Sequence, residues 1–102
     1  MKIHFQAPLP VHQDQLMRAA GYAPFRDPKS GEDSYTRRLT SGYYPRFHVY
    51  VKGNEKVVTF NLHLDQKKPS YKGSSAHAGE YEGKTVEAEI TRMRAAFQTH
   101  LR

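Results

Sequence analysis

Histidine and carboxylate side chains in the middle of the chain have the types and spacing of a metal site. The chain contains six histidines among 102 residues. His63 and Asp65 are two positions apart in an alternating segment, so both side chains point to the same face of a strand. His48 falls on the polar face of the preceding alternating segment, and a later loop supplies His77 and Glu80. Two or three histidines with a carboxylate are a ligand set for Zn²⁺, Mn²⁺ or Fe²⁺.

The predicted metal ligands are His48, His63, Asp65 and His77. An ion held there could activate water for hydrolysis. Two other interpretations stay open. His63 or His77 acts as a general base without a metal, or His63 is simply ordered by Asp65 or by Arg46 and Tyr50. No Gly-x-Ser-x-Gly segment supports a nucleophile. The sequence therefore favours a protein that is not an enzyme and has no cofactor, with a divalent metal ion as the alternative.

A basic, tyrosine-rich stretch overlaps these residues. The formal net charge of the chain is +6, and residues 34–52 contain arginine, lysine, tyrosine and phenylalanine but no acid. Residues 66–79 hold three lysines, again without an acid. Cationic groups neutralise phosphates, and Tyr and His rings offer surfaces on which unpaired bases stack. The predicted nucleic-acid-binding residues are Tyr35, Arg37, Arg46, His48, Tyr50, Lys67, Lys68 and Lys72.

The main functional prediction is a small binding module that contacts single-stranded nucleic acid or RNA through one face of a sheet. The alternatives are the metal site described above and a protein-interaction domain or homodimer. Residues 78–85 also fit a loose phosphate-loop pattern that ends in Gly-Lys-Thr. Two glutamates inside that loop would repel phosphate, and no apolar strand leads into it. We therefore interpret this segment as an ordinary junction between a loop and a helix.

Two alternating segments must position the predicted site. Phe47, Val49 and Val51 alternate with polar residues, and the apolar positions 58, 60, 62 and 64 do the same after a turn at 53–56. This pattern predicts an antiparallel hairpin with one apolar and one polar face. A four-residue loop would pair Phe47 with Leu62 and Arg46 with His63, whereas a two-residue loop keeps the faces and slides the partners. Tyr35 and Arg37 belong to the polar face only if the strand that contains them pairs with the hairpin in the register that places them there.

Helices are predicted on both sides of these strands. Val11 to Ala20 offers one apolar face, and Gly21 suits the position just after a helix. The final helix has apolar residues at spacings of three and four, at Val86, Ile90, Met93, Phe97 and Leu101, which form one stripe. With a short strand at the start of the chain, the order predicts an α+β fold. It is a two-layer sandwich, an antiparallel sheet of four to five strands with two helices on one face and the other face open.

The chain is expected to form one domain over residues 1–102, with a flexible loop at about 66–83 that is rich in Gly, Ser and Pro. The absence of cysteine excludes disulfides and thiolate ligands. The start of the chain has no apolar core of a signal peptide, and no run of about 18 apolar residues is present. We therefore expect a cytoplasmic protein with no membrane partner.

Three segments carry a resemblance to a known group of proteins. They are residues 44–50 (YPRFHVY), residues 60–71 (FNLHLDQKKPSY) and residues 77–81 (HAGEY). Together they resemble a group of short uncharacterised proteins from candidate-phylum bacteria with reduced genomes. The resemblance implies a small cytoplasmic domain, and it implies no activity, ligand or catalytic residue.

The order of elements after residue 11 is also similar to that of double-stranded-RNA-binding domains. Those domains open their final helix with lysines, whereas this helix opens with Glu87 and Glu89. The likeness is therefore one of topology.

Overall fold

A computed structural model describes residues 1–26, 31–66, 79–80 and 83–101 of the chain. In these residues, six strands and two helices follow one another as β1 (Lys2–Gln6), α1 (Gln13–Ala19), β2 (Ala23–Arg26), β3 (Asp33–Arg38), β4 (Arg46–Gly53), β5 (Val57–Asp65), β6 (Gly79–Glu80) and α2 (Lys84–Leu101). No helix in the described part of the chain has the length and apolar character needed to cross a membrane.

The strands form one antiparallel sheet in the order β1-β5-β4-β3-β2, and the two-residue β6 pairs with the end of β5. Both helices pack on the same face, which confirms the predicted α+β sandwich. The short β6 lies within the segment that the sequence predicted as loop, and most of that segment lies outside the described residues.

The core lies between the apolar face of the sheet and the two helices. Val49, Phe60 and Leu62 of the sheet are fully buried, as are Leu16 of α1 and Phe97 of α2. The predicted stripe of α2 is buried from position 86 to position 97, since its spacing keeps those side chains on one side of the helix. At about 25 cal/mol per Å² of apolar surface, this burial is the main stabilising contribution to the fold.

The central hairpin differs from the four-residue-loop prediction in its register. Phe47 pairs with Leu64 and Val49 with Leu62, because the loop contains only two residues between the paired Asn54 and Val57. The partners slide by two positions, so each side chain keeps its predicted face. The side chain of Asn54 fixes the turn, since its Oδ1 accepts bonds from two backbone N–H groups at 2.8 and 2.9 Å.

The connection from α1 into the sheet contains a strand that the sequence did not predict. Gly21 ends the helix with a φ of +90°, as predicted for the residue after a helix. The chain then forms β2 at once and does not pass directly into a turn. Pro24 is tolerated there because β2 is an edge strand. In the described residues five strands, β2 to β6, therefore lie between α1 and α2, two more than the three strands of the double-stranded-RNA-binding topology.

Candidate functional site: a buried histidine-aspartate cluster

Strand register brings three of the four predicted metal ligands together on the face opposite the helices, here called the polar face. His48 of β4 lies directly across from His63 of β5, and Arg46 lies across from Asp65. Because alternate residues of a strand share a face, all four side chains project from the same side of the sheet. We refer to His48, His63 and Asp65 as the histidine cluster. One ligand atom from each of these three residues lies within 4.8 Å of the other two.

Asp65 is the centre of the cluster. One carboxylate oxygen, Oδ1, lies 3.1 Å from Nε2 of His63. The other, Oδ2, lies 3.4 Å from Nδ1 of His48 and 3.2 Å from Nε of Arg46. Burial alone raises the pKa of the Asp65 carboxyl, but the hydrogen bonds from His48, His63 and Arg46 outweigh burial and hold the pKa well below its ordinary value. Asp65 is therefore an ionised carboxylate at neutral pH.

The two histidines are buried in a stack of rings. The centre of the His48 ring lies 4.4 Å from that of Tyr50, 5.1 Å from that of His63 and 5.5 Å from that of Phe25, whose ring is perpendicular to it. His48 is 4% exposed and His63 is 6% exposed. Among the described residues, Nε2 of His48 has no hydrogen-bond partner. A buried ring nitrogen without a partner is costly.

Arg46 is held among aromatic rings beside the cluster. Its guanidinium carbon lies 4.9 Å from the ring centre of Tyr44, 5.0 Å from that of Phe25 and 5.7 Å from that of Tyr43. Cation–π contacts of this kind fix the guanidinium while it bonds Asp65. Arg46 is only 8% exposed as a result. The expectation that this end of the polar face is open is therefore wrong, because Phe25 of β2 and the residues before β4 lie against it.

Two of the predicted nucleic-acid-binding residues lie on the opposite face of the sheet. Tyr35 pairs with Val49 and Arg37 with Phe47, so both point toward the helices. The hydroxyl of Tyr35 donates to Asp14 of α1 and accepts a 3.1 Å bond from the side chain of Gln13. The strand pairing on which their predicted place on the polar face depended is therefore not the one observed. The remaining predicted contacts Lys67, Lys68 and Lys72, and the predicted ligand His77, lie outside the described residues.

A buried carboxylate on the helical side was missing from the sequence prediction. Glu89 of α2 is 4% exposed and accepts a 2.6 Å bond from the hydroxyl of Tyr22. Arg92 donates two bonds to it, at 2.7 and 2.8 Å, and also donates to the backbone carbonyl of Ala20. This network ties α2 to the end of α1. Glu89 is three residues after Val86 and four before Met93, and that spacing already indicates that it shares the buried face.

A shallow groove adjoins the histidine cluster on the polar face and has a volume of about 380 Å³. We call it the lysine groove. Its lining residues are Lys2, His4, Glu32, Tyr50, Lys52, Thr59 and Asn61. Tyr50 belongs to both features, since its ring stacks on His48 and also forms a wall of the groove. Lys52 contacts Glu32 at 3.1 Å, and both side chains are substantially exposed.

Comparison of this chain with protein-family models, with curated proteins and with solved structures found no match. The resemblance to the short bacterial proteins and the cytoplasmic location therefore stay predictions.

Proposed function

We propose that this protein binds one divalent transition-metal ion, of the Zn²⁺, Mn²⁺ or Fe²⁺ type, through His48, His63 and Asp65. The observation that supports the proposal is the juxtaposition of two buried imidazoles and one half-buried carboxylate, whose donor atoms lie within 4.8 Å of one another. Two neutral imidazoles and one carboxylate are a common donor set for these ions.

The spacing of the donor atoms is compatible with a shared ion. Ligands bound about 2.0–2.1 Å from Zn²⁺ are separated by about 3.4 Å at the edge of a tetrahedron and about 2.9 Å at the edge of an octahedron. Nδ1 of His48 lies 3.4 Å from Oδ2 of Asp65, and Nε2 of His63 lies 3.1 Å from Oδ1. Each nitrogen is therefore near a different carboxylate oxygen, and a shared ion would bind both oxygens or require the carboxylate to rotate.

Arg46 has two opposing effects on such a site. Its bond to Oδ2 of Asp65 fixes the orientation of the carboxylate, as partners of metal ligands commonly do. Its positive charge also repels a divalent cation at short range, so we expect a moderate rather than an extreme affinity. The competing interpretation is a metal-free network in which His63 and His48 simply bond Asp65. The same experiment distinguishes the two.

The test is calorimetric titration of metal-free protein with Zn²⁺, Mn²⁺ and Fe²⁺, the last under anaerobic conditions. We expect one ion per chain, and at least a hundredfold loss of affinity in His63→Gln, since one of the three proposed donors is removed. The matched control is His12→Gln, because His12 also lies near a carboxylate, 3.9 Å from Asp14, but is 71% exposed. Circular dichroism checks that both variants fold. Absence of stoichiometric binding, or equal binding by His63→Gln and the wild type, would refute the proposal.

Three protein donors leave at least one coordination position for water or another ligand. This number is typical of catalytic zinc sites, whereas structural sites are usually closed by four protein ligands. Hydrolysis is therefore the first reaction class to assay if an ion binds. A water bound to the ion could then supply the attacking oxygen.

A second candidate function is contact with single-stranded nucleic acid, and it is favoured by an exposed pair beside the cluster. Tyr43 is 58% exposed, and the guanidinium of Arg38 lies 4.4 Å from its ring centre. A base can stack on such a ring while the arginine contacts a phosphate. Arg46 and His48, which are buried, contribute to this surface only indirectly.

The nucleic-acid candidate is tested by fluorescence anisotropy with single-stranded oligonucleotides. We expect Tyr43→Ala to weaken binding, and affinity to fall steeply with added salt. Arg94→Ala on α2 is the control, since it removes a cation from an exposed position in the helical layer. Binding that Tyr43→Ala leaves unchanged would refute the role of this pair.

A further inference from the structure

We propose that the lysine groove binds a phosphate-bearing small molecule. The inference deepens the proposed metal site, on which it rests, by naming the class of ligand that would approach the ion. Its own observation is the arrangement of cations and hydrogen-bonding groups on the polar face between β1 and β4. Lysine ammonium groups are point charges on flexible stems and are common partners of phosphate.

The two lysines stand at opposite corners of a patch that crosses three strands. Lys2 pairs with Asn61, which pairs with Tyr50, and His4 pairs with Thr59, which pairs with Lys52. Neighbouring strands are about 4.8 Å apart, and residues two positions apart on a strand are separated by about 6.8 Å. The Cα atoms of Lys2 and Lys52 are therefore about 12 Å apart on the diagonal. Their four-carbon stems let both ammonium groups converge on an anion above β5.

The floor beneath that position carries neutral polar groups. The amide of Asn61 and the hydroxyl of Thr59 both line the groove, and Oγ1 of Thr59 bonds Nδ1 of His4 at 2.8 Å. These groups can donate to or accept from a phosphate without adding a negative charge. Glu32 is the one carboxylate among the described lining residues.

The contact of Glu32 with Lys52 does not block anion binding. Their side chains are 40% and 75% exposed. An exposed pair of this kind is worth less than about 1 kcal/mol, so a phosphate can take over the lysine at little cost. With Lys2 included, the groove presents two positive charges against one negative charge.

The groove is positioned so that its ligand can reach the histidine cluster. Tyr50 follows His48 by two residues on β4, and Asn61 precedes His63 by two residues on β5. Each step is about 7 Å along a strand, which is comparable to the length of a phosphate ester. A molecule with its phosphate between the lysines would therefore extend along Tyr50 toward an ion at the cluster.

The test uses nuclear magnetic resonance titration of ¹⁵N-labelled metal-free protein with inorganic phosphate, a nucleoside monophosphate and a single-stranded oligonucleotide. We expect saturable shifts of backbone amides around residues 2–4, 50–52 and 59–61 with the monophosphate. The double variant Lys2→Ala/Lys52→Ala should bind about tenfold to a hundredfold more weakly, since hydrogen bonds to charged groups are lost. The control Lys84→Ala/Arg94→Ala removes the same charge from exposed positions of α2 and should bind like the wild type.

Several outcomes would overturn the proposal. Equal weakening in the two double variants would mean that net charge alone attracts the probe. Shifts with the oligonucleotide but with neither small probe would assign the face to nucleic acid. No saturable shift with any probe would leave the groove without an anion. The metal proposal is tested separately. Its failure would appear as a lack of metal binding in the calorimetric titration of the wild type and His63→Gln, an experiment that does not depend on the lysines.

Discussion

The ion pair of Arg46 and Asp65 orients the histidine cluster, and we predict that the two side chains are strongly coupled in folding stability. Nε of Arg46 lies 3.2 Å from Oδ2 of Asp65, and the two side chains are only 10% and 19% exposed. Two unit charges near this separation attract by about 5 kcal/mol at an effective dielectric constant of about 20. Because removal of either partner takes away much of the compensation for the other's charge, Asp65→Asn and Arg46→Leu should each lower the free energy of unfolding by about 3 kcal/mol.

The double variant should be no less stable than either single variant, because replacing both charges removes the uncompensated one. The coupling energy of the cycle is then about 3 kcal/mol, somewhat below the Coulomb value because Asp65 retains partial contact with solvent. Arg46→Leu also removes the contacts of the guanidinium with the aromatic rings. This loss is the same in the wild type and in Asp65→Asn, so it cancels from the coupling energy. Urea unfolding followed by circular dichroism, with a chelator present, measures all four proteins.

An exposed pair on the same sheet provides the control. Lys52 and Glu32 are 3.1 Å apart but 75% and 40% exposed, so their cycle with Lys52→Met and Glu32→Gln should give less than about 1 kcal/mol. The two pairs differ chiefly in burial, not in distance. A coupling energy for Arg46 and Asp65 that is no larger than that of the control pair would refute the reasoning that burial makes this pair strong.

Three further predictions concern the pH dependence of Asp65 and Tyr35 and the buried carboxylate of Glu89. Contacts hold the pKa of the Asp65 carboxyl below its unfolded value of about 3.9. The stabilisation from this carboxylate is therefore complete above that pH and is lost as the pH falls through the folded pKa. The free energy of unfolding in urea should thus fall less steeply with acid in Asp65→Asn than in the wild type. Burial and the bond to Asp14 raise the pKa of Tyr35 to about 12. Its stabilisation is therefore complete below about pH 10 and is lost as the pH rises through the folded value. Tyr35→Phe should flatten this alkaline loss in urea unfolding, and equal slopes would contradict the assignment. Glu89→Gln should lower the free energy of unfolding by about 2 kcal/mol, since Arg92 loses its charged partner. A thermal midpoint equal to that of the wild type would show that the buried carboxylate is dispensable.

The central hairpin and the apolar stripe of α2 were predictable from the spacing of their apolar residues. Alternate apolar residues indicate a strand, and spacings of three and four indicate a helix. Alternation from Phe47 to Leu64 fixes which face every side chain occupies, whatever the length of the turn. Hairpin partners were less certain, since a two-residue loop and a four-residue loop give the same faces. His48, His63 and Asp65 were therefore assigned to one face correctly, and the register then brought them into contact.

Other features depend on contacts between distant parts of the chain. Tyr35 and Arg37 lie on the helical face because of the register in which β3 pairs with β4. A shift of that register by one residue would place them on the polar face, and the segment between the two strands does not reveal which register forms. Strand β2 was missed because Pro24 just after Gly21 is also typical of a helix that ends in a turn. Phe25 on that missed strand packs against His48 and contributes to its burial. An isolated hairpin pattern contains no such signal, so the polar face was expected to be open.

The most direct test of the metal proposal is nuclear magnetic resonance of the histidine ring nitrogens during addition of Zn²⁺. We predict that one equivalent shifts ring-nitrogen signals of both His48 and His63, because each would provide one nitrogen to the ion. The rings of His4, His12 and His100 should keep their positions, since they lie outside the cluster. Shifts confined to those three rings, or no shift in His48 and His63 at one equivalent, would contradict the proposal and leave the cluster as a metal-free hydrogen-bonded network.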